Sequence, residues 1–595
     1  MDRFGLWDFV PRDELLIYVG MTGCRYRPPR GVAMSANETD TVLIIRGGTV
    51  IDGSGSPGRR ADVAVVNGKI SAIGENLTGD RVLDAEGCVV APGFIDIHTH
   101  YDAQVFWDPA MSPSCFHGVT TVVGGNCGFS IAPVRPGDHA LMANTMEKVE
   151  DMNPATLLEG VPWDFETFPE YLASVERHGM MLNYSAYIGH TAVRLYAMGD
   201  EAIGRPANQD EIDIMTAMIV EAMEAGAVGF ATSFAITHIG ADGSPIPSRW
   251  ADRTEIEALF AAVATTGRGI IGVNGGENLS LRENYALQKK IGIPFTYTAV
   301  LTNPAGGHLK ALEINRQGWA DGAEVWPQVT CRPLSFSMTM VEPFTLNTNP
   351  VFAELAGGSI DERRAAFADP DWRARVREAW KAPRMLVPRW DTMEVMMSGA
   401  NPELVGRRVP ELADEAGLDP FDMLMELTLA EPDLMLRIKV VLANDDVDGI
   451  TKLLQDEHTT LGLSDAGAHV GQLCDAPQAT DLLGNWVRDR GVMPMETAIR
   501  KLTGQQADLM SFEDRGYLRP GYWADITVFD PATIDPGPIR RVRDFPADAE
   551  RLTADEPVGI RHVLVNGVPI QRDGVPVEQA RSSLPGQLVR PAPRS

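Results

Sequence analysis

The sequence predicts an α/β protein: a (β/α)8 TIM barrel with a small β-sandwich domain built from both chain ends. Three observations carry that expectation. Between residues 93 and 465, eight short apolar runs alternate with longer helical patterns. Before and after that region lie β-rich segments of one common character, cut by Gly-Gly, Asn-Gly and Ser-Gly turns. The chain has 595 residues, beyond the size at which single cores stop growing, so one large domain with smaller additions is expected.

In chain order, residues 1–41 read as a loosely ordered extension. Their acids and proline interrupt the apolar part, which makes a poor signal peptide, and residues 1–33 also read as an overlong start. Residues 42–92 ("VLIIRGGTVIDGSG", "ADVAVVNGKISAIG", "RVLDAEGCVVAPG") and 520–575 ("ADITVFDPATI", "VGIRHVLVNGVPIQRDG") predict the small β domain. The barrel is expected over 93–519, with strands at 93–98, 120–125, 183–189, 228–233, 269–274, 295–300, 324–329 and 459–465. Helical patterns such as "NQDEIDIMTAMIVEAMEAG" and "DRTEIEALFAAVATTG" separate them. Residues 345–450 exceed one barrel helix and predict an insertion of several helices, and 576–595 are left as a C-terminal tail.

Charge narrows the partners. The chain carries 52 basic and 81 acidic residues, a net charge of −29, which repels phosphate backbones and anionic membranes. No run of 18 apolar residues is present. A small-molecule substrate is therefore expected, with no nucleic acid and no membrane partner; homo-oligomerisation stays open. Six cysteines without a tight framework, and no export signal, predict free thiols in the cytoplasm.

Active sites of such barrels stand at the C-terminal ends of the strands. His98 and His100 close the first strand, and alternation sends both imidazoles to one face, as a shared divalent ion requires. Alone, the pair also fits two buried, hydrogen-bonded histidines. Cys127 follows the second strand among glycines and offers a soft thiolate to zinc. Asp465 ends the eighth strand, a position it could also hold as a helix cap. Their order along the chain favours a metal grip.

The stretches "GFIDIHTH", "GVTTVVGGNCG", "IGHTAVR", "SDAGAHVG" and "DRGYLRPGYWADITVFDP" resemble the amidohydrolase superfamily, and within it the N-acyl-D-amino-acid deacylase (D-aminoacylase) branch, over about residues 42–575. The resemblance implies a metal-dependent hydrolase of non-peptide carbon–nitrogen bonds that deacylates N-acyl-D-amino acids or a related amide. It places His98, His100, Cys127 and Asp465 at the metal, Cys127 standing where many members of the superfamily carry a carboxylated lysine. It implies zinc, one ion in preference to two, because the histidines that the branch carries after strands five and six are missing. The chain reads "GVNGGEN" and "YTAVLTN" there, with Asn274 or Val273 at the first position and Leu301 or Thr302 near the second.

Asp465 is the expected catalytic base, accepting a proton from water and passing it to the leaving amine. Tyr187, His190, Asn274, Glu277 and Arg332 are the candidate substrate contacts. Arg249 and Arg194 are further cationic candidates for a carboxylate, and His238, His308 and His469 further imidazoles near the mouth. An amidohydrolase acting on another amide, a cyclic imide or an ester, and a catalytically inactive barrel scaffold, remain as alternatives.

Overall fold

The computed structural model describes residues 41–594, apart from 241–243, 342, 344, 356 and 383–387, and for 148–150 the backbone alone. The expected N-terminal extension lies, but for Thr41, outside the described residues.

Among the described residues eight parallel strands form one sheet. They are β1 (Phe94–Asp96), β2 (Val119–Gly124), β3 (Asn183–Gly189), β4 (Gly229–Ser233), β5 (Ile270–Asn274), β6 (Phe295–Thr298), β7 (Val325–Val329) and β8 (Thr460–Leu461), each paired with the next. A parallel bridge between Thr99 and Ala466 joins the ends of β1 and β8 and closes the barrel. Each strand falls within its predicted run, because fully buried parallel strands show as short apolar stretches.

The intervening helices begin where the sequence supplies caps. In α1 (Gln209–Ala225) the Asn208 side chain accepts the Glu211 N–H, and the Glu211 carboxylate accepts the Asn208 N–H. Such a cap contributes about 1 kcal/mol. Ile212, Met215, Ile219 and Met223 recur at helical spacing and face the barrel core. Gly226, at φ 111°, ends the helix in a conformation that costs other residues more.

The lower barrel interior is filled by Ile95, Ile97, Val123, Tyr187, Ala231 and Ile270, packed against Met510, Phe512 and Val589. Val589 belongs to the segment expected as a tail. That segment is fastened along the barrel by backbone bonds from Gly586 N–H to Met180 O (2.9 Å), Tyr184 N–H to Gln587 O (3.0 Å) and Val589 N–H to Tyr184 O (2.7 Å).

The second domain is a mixed sheet built from both chain ends. Leu43–Val50 pairs antiparallel with Arg59–Val66, as the hairpin turns predict, and parallel with Arg81–Asp84 and Val89–Pro92. The two ends meet where Val89–Pro92 pairs with Ile526–Phe529. Gly93 alone separates that junction from β1, and its N–H donates to Asp525 O at 2.8 Å, so the second domain fixes the start of the strand that carries the histidines.

Between β7 and β8 the chain builds an antiparallel sheet from Leu334–Thr339, Glu394–Met397 and Arg437–Ala443, backed by helices including Ile360–Ala368, Pro370–Trp380 and Pro420–Ala430. The sequence predicts these helices but not the sheet. Its strands are short and partly polar ("RIKVVLA"), so they lack the apolar signature of the barrel strands. Phe336, Met338, Phe352, Phe421, Leu424 and Val440 form a core separate from that of the barrel. Among the described residues no helix is long and apolar enough to cross a membrane.

Candidate metal centre

Regular pairing of β1 stops at Asp96, yet the backbone continues extended because two neighbours hold it. Thr99 N–H donates to Val123 O on β2 (3.1 Å), and His100 N–H donates to Ala466 O beyond β8 (2.7 Å). Ser464 Oγ donates to His98 O (2.9 Å). The two imidazoles consequently lie with ring centroids 5.5 Å apart.

Cys127 reaches them through a sharp turn. Gly125 adopts φ 73°, and a Cβ there would collide with the Tyr187 carbonyl. Cys127 itself sits at φ 54°, ψ 15°, a left-handed conformation costing a non-glycine residue about 1 kcal/mol. The Asn126 amide holds the turn by donating to Val123 O (2.8 Å), Ile97 O (3.2 Å) and Thr99 O (3.3 Å). Asp465 (φ 46°) and His469 (φ 47°) are also left-handed, so unfavourable backbone gathers at this mouth.

The ligating atoms of His98, His100 and Cys127 lie within 4.8 Å of one another. Asp465 Oδ1 stands 3.0 Å from His98 Nε2 and 3.5 Å from His100 Nε2, and Cys127 Sγ lies 3.5 Å from His98 Nε2. On the far side of the ring, His98 Nδ1 is 2.6 Å from Gln328 Oε1 on β7. A glutamine oxygen only accepts, so Nδ1 carries the proton and Nε2 turns its lone pair to the cluster.

Electrostatics fit a cation. Burial opposes the charged form of His98, but Cys127 and then Asp465 more than offset it, and its pKa rises to about 10. Burial alone would raise the Cys127 thiol; His98 and His100 outweigh that and bring it down to about 7. Burial likewise disfavours the Asp465 carboxylate, yet the same two imidazoles hold it well below the usual range. Two neutral imidazoles with a thiolate and a carboxylate carry two negative charges, which match a divalent ion, and nitrogen with sulfur is the donor set that suits zinc.

The predicted substrate residues divide. Asn274 belongs to the cluster, its Nδ2 donating to Cys127 Sγ at 3.6 Å, whereas Val273 packs in the core. Tyr187 does not join: strand alternation turns it into the barrel interior, its hydroxyl 3.8 Å from Met510 Sδ. His190 stands apart as well, both nitrogens being engaged at 2.8 Å, with Thr232 Oγ1 and Glu255 Oε1, while Arg194 pairs with the other Glu255 oxygen. Arg332 is bound to Asp475 at 2.6 Å and Asp481 at 3.6 Å. Glu277 is exposed beyond β5.

Of the further imidazoles, His308 lies against Gly449, away from the cluster. His238 Nδ1 is 2.8 Å from Ser233 Oγ, its ring against Phe129; burial first, then His469, lowers its pKa to about 3. Burial brings His469 to about 4. Gln328 and Asn126 are positioning residues that sequence reasoning missed. The available signals were a buried glutamine closing the apolar run "VWPQV" and an asparagine inside "GGNCG".

Residues 81–571 match the Amidohydrolase family. The chain is 29% identical to a D-aminoacylase of Alcaligenes xylosoxydans xylosoxydans, covering 89% of this chain and 94% of that protein. It is 28% identical to an N-acyl-D-glutamate deacylase of the same organism, over 92% and 96%. A solved D-aminoacylase with a binuclear metal centre superposes with a TM-score of 0.64 at 27% identity, covering 92% of this chain and 99% of that one. An N-acyl-D-glutamate deacylase from Bordetella bronchiseptica, complexed with zinc and a phosphonate mimic of the tetrahedral intermediate, superposes at 0.62 with 28% identity, over 93% and 100%.

Proposed function

The chain belongs to the amidohydrolase family, and from that premise we propose that it is a zinc-dependent hydrolase deacylating N-acyl-D-amino acids or a closely related amide with one ion. The observation that carries the reading is the convergence of His98, His100, Cys127 and Asp465 from β1, β2 and β8 on one point. The D-aminoacylase and N-acyl-D-glutamate deacylase relatives support the substrate class.

His98, His100 and Cys127 would hold the ion, with Asp465 at its edge. A bound zinc ion lowers the pKa of water toward neutrality and polarises an amide carbonyl. Gln328 keeps the His98 ring oriented with Nε2 inward. Asp465, ionised and left-handed at the mouth, accepts the proton of the attacking water on a carboxylate oxygen and delivers it to the departing nitrogen. Asn274 occupies the strand-five position beside Cys127, donating a neutral hydrogen bond to sulfur.

The test is release of acetate from N-acetyl-D-amino acids and their L counterparts by the zinc-loaded protein. Hydrolysis confined to the D series is expected. No release from either series, with hydrolysis of cyclic imides or esters instead, would overturn the substrate class.

A further inference from the structure

A hydrolase of N-acyl amino acids must grip the substrate carboxylate, and arginine is suited to that task. The arginines singled out in the sequence are otherwise engaged: Arg332 with two aspartates, Arg194 with Glu255, and Arg249 with the carbonyls of Ile236 and His238 at 3.4 and 3.3 Å.

A different pair stands over the loop that follows Asp465. Arg541, on the strand Arg540–Phe545, donates from Nη2 to Gly471 O at 2.6 Å. Arg437, on the insertion strand Arg437–Ala443, donates from Nη1 to Ser337 Oγ at 3.4 Å, and Ser337 N–H donates to Gln472 O at 2.7 Å. Two guanidiniums from segments about a hundred residues apart are thus tied to consecutive residues of one loop. That loop also carries His469. The hairpin is fastened to it by Leu552 N–H donating to Val470 O at 2.6 Å.

The charges are partly offset. Glu550 Oε2 stands 3.8 Å from Arg541 Nη1, but its other oxygen takes a 2.7 Å bond from Arg543. Asp151 Oδ2 accepts the Gly471 N–H at 3.0 Å. Burial above all, and then the neighbouring Arg437, bring Arg541 down to about 10, so the two cations are near enough to repel. Like charges held together away from water are costly, and an anion placed between them relieves both the repulsion and the lost solvation.

We propose that Arg437 and Arg541 form the carboxylate-binding end of the substrate site, gripping the free acid of the N-acyl amino acid while its amide lies at the metal cluster. This rests on the reading given under Proposed function. It assigns the insertion and the C-terminal hairpin a part in substrate choice: the barrel holds the reacting bond, and the two added segments read the charge.

The test measures binding of N-acetyl-D-leucine and of its uncharged carboxamide by calorimetry, in the zinc-loaded Asp465→Asn protein so that turnover does not interfere. The acid should bind at least about tenfold more tightly than the carboxamide, roughly one strong charged contact. Adding Arg437→Met or Arg541→Met should reduce that preference to within about twofold at unchanged zinc content, and Arg541→Lys should retain part of it. A preference that survives both methionine variants, or none in the parent, overturns the proposal. Because this readout is binding and the earlier one is acetate release, the two readings fail separately.

Discussion

The two sides of the barrel mouth are built from the same kind of strand end and hold opposite chemistry. Around β1, β2 and β8 stand two imidazoles, a thiolate and a carboxylate, braced by Asn126 and Gln328. Around β5 and β6, the described residues supply Asn274, Thr298 and Thr302, none with an imidazole. Asn274 uses its amide to bond Cys127 Sγ from outside the cluster. A scaffold can therefore keep the geometry of a metal mouth while furnishing half of it, because each strand end is anchored by its own neighbours. That difference underlies the expectation of one ion where a related D-aminoacylase has a binuclear centre.

The comparison breaks most visibly if the rich side is disarmed. Asp465→Asn should lower kcat by about a thousandfold, within the range of a lost general base, while bound zinc measured by mass spectrometry is largely retained. Full activity in that variant would remove its assigned role. Cys127→Ala takes away a ligand instead, and chelator competition should show zinc affinity falling by more than about a hundredfold. Loss of an orienting partner costs less: Gln328→Met should weaken zinc by roughly 10-fold to 100-fold, with Gln328→Glu recovering most of it.

Rearming the poor side sharpens the contrast. Asn274→His places a second nitrogen donor next to Cys127, and stoichiometry should rise above one zinc per chain at saturating metal. A value unchanged at one would mean that β5 stands too far from any shared ion.

How much of this was legible depends on what each feature shows to a reader of residues. The eight barrel strands are apolar on both faces, and the ligands follow them directly in "GFIDIHTH" and "NCG", so sequence order gave the site its outline. Tyr187 and His190 sit in an equally suggestive strand end, yet burial and neighbours turned them elsewhere, Tyr187 into the barrel interior and His190 onto Glu255. Such choices depend on contacts with residues 65 to 323 positions away. The insertion sheet was illegible for a different reason: its strands alternate polar and apolar residues inside a helix-rich stretch. The docked segment around Val589 lacks any regular pattern, since it is held by backbone bonds to β3.

The smallest expected effect lies at the network that resembles a site and is structural. Burial alone would raise the Glu255 pKa, but His190 and then Arg194 outweigh it and hold it at about 2, below the usual 4.5. Its contribution to stability is thus complete above pH 4.5 and lost as pH falls toward 2. Denaturant unfolding should show Glu255→Gln less stable at neutral pH and less sensitive to acid over that interval. Zinc content should not change.

The central claim is tested most directly by counting metal in protein purified without chelator. The account predicts one zinc per chain, lost from the His98→Ala and Cys127→Ala variants. Protein that binds no divalent ion, or two with equal tenacity, would contradict it.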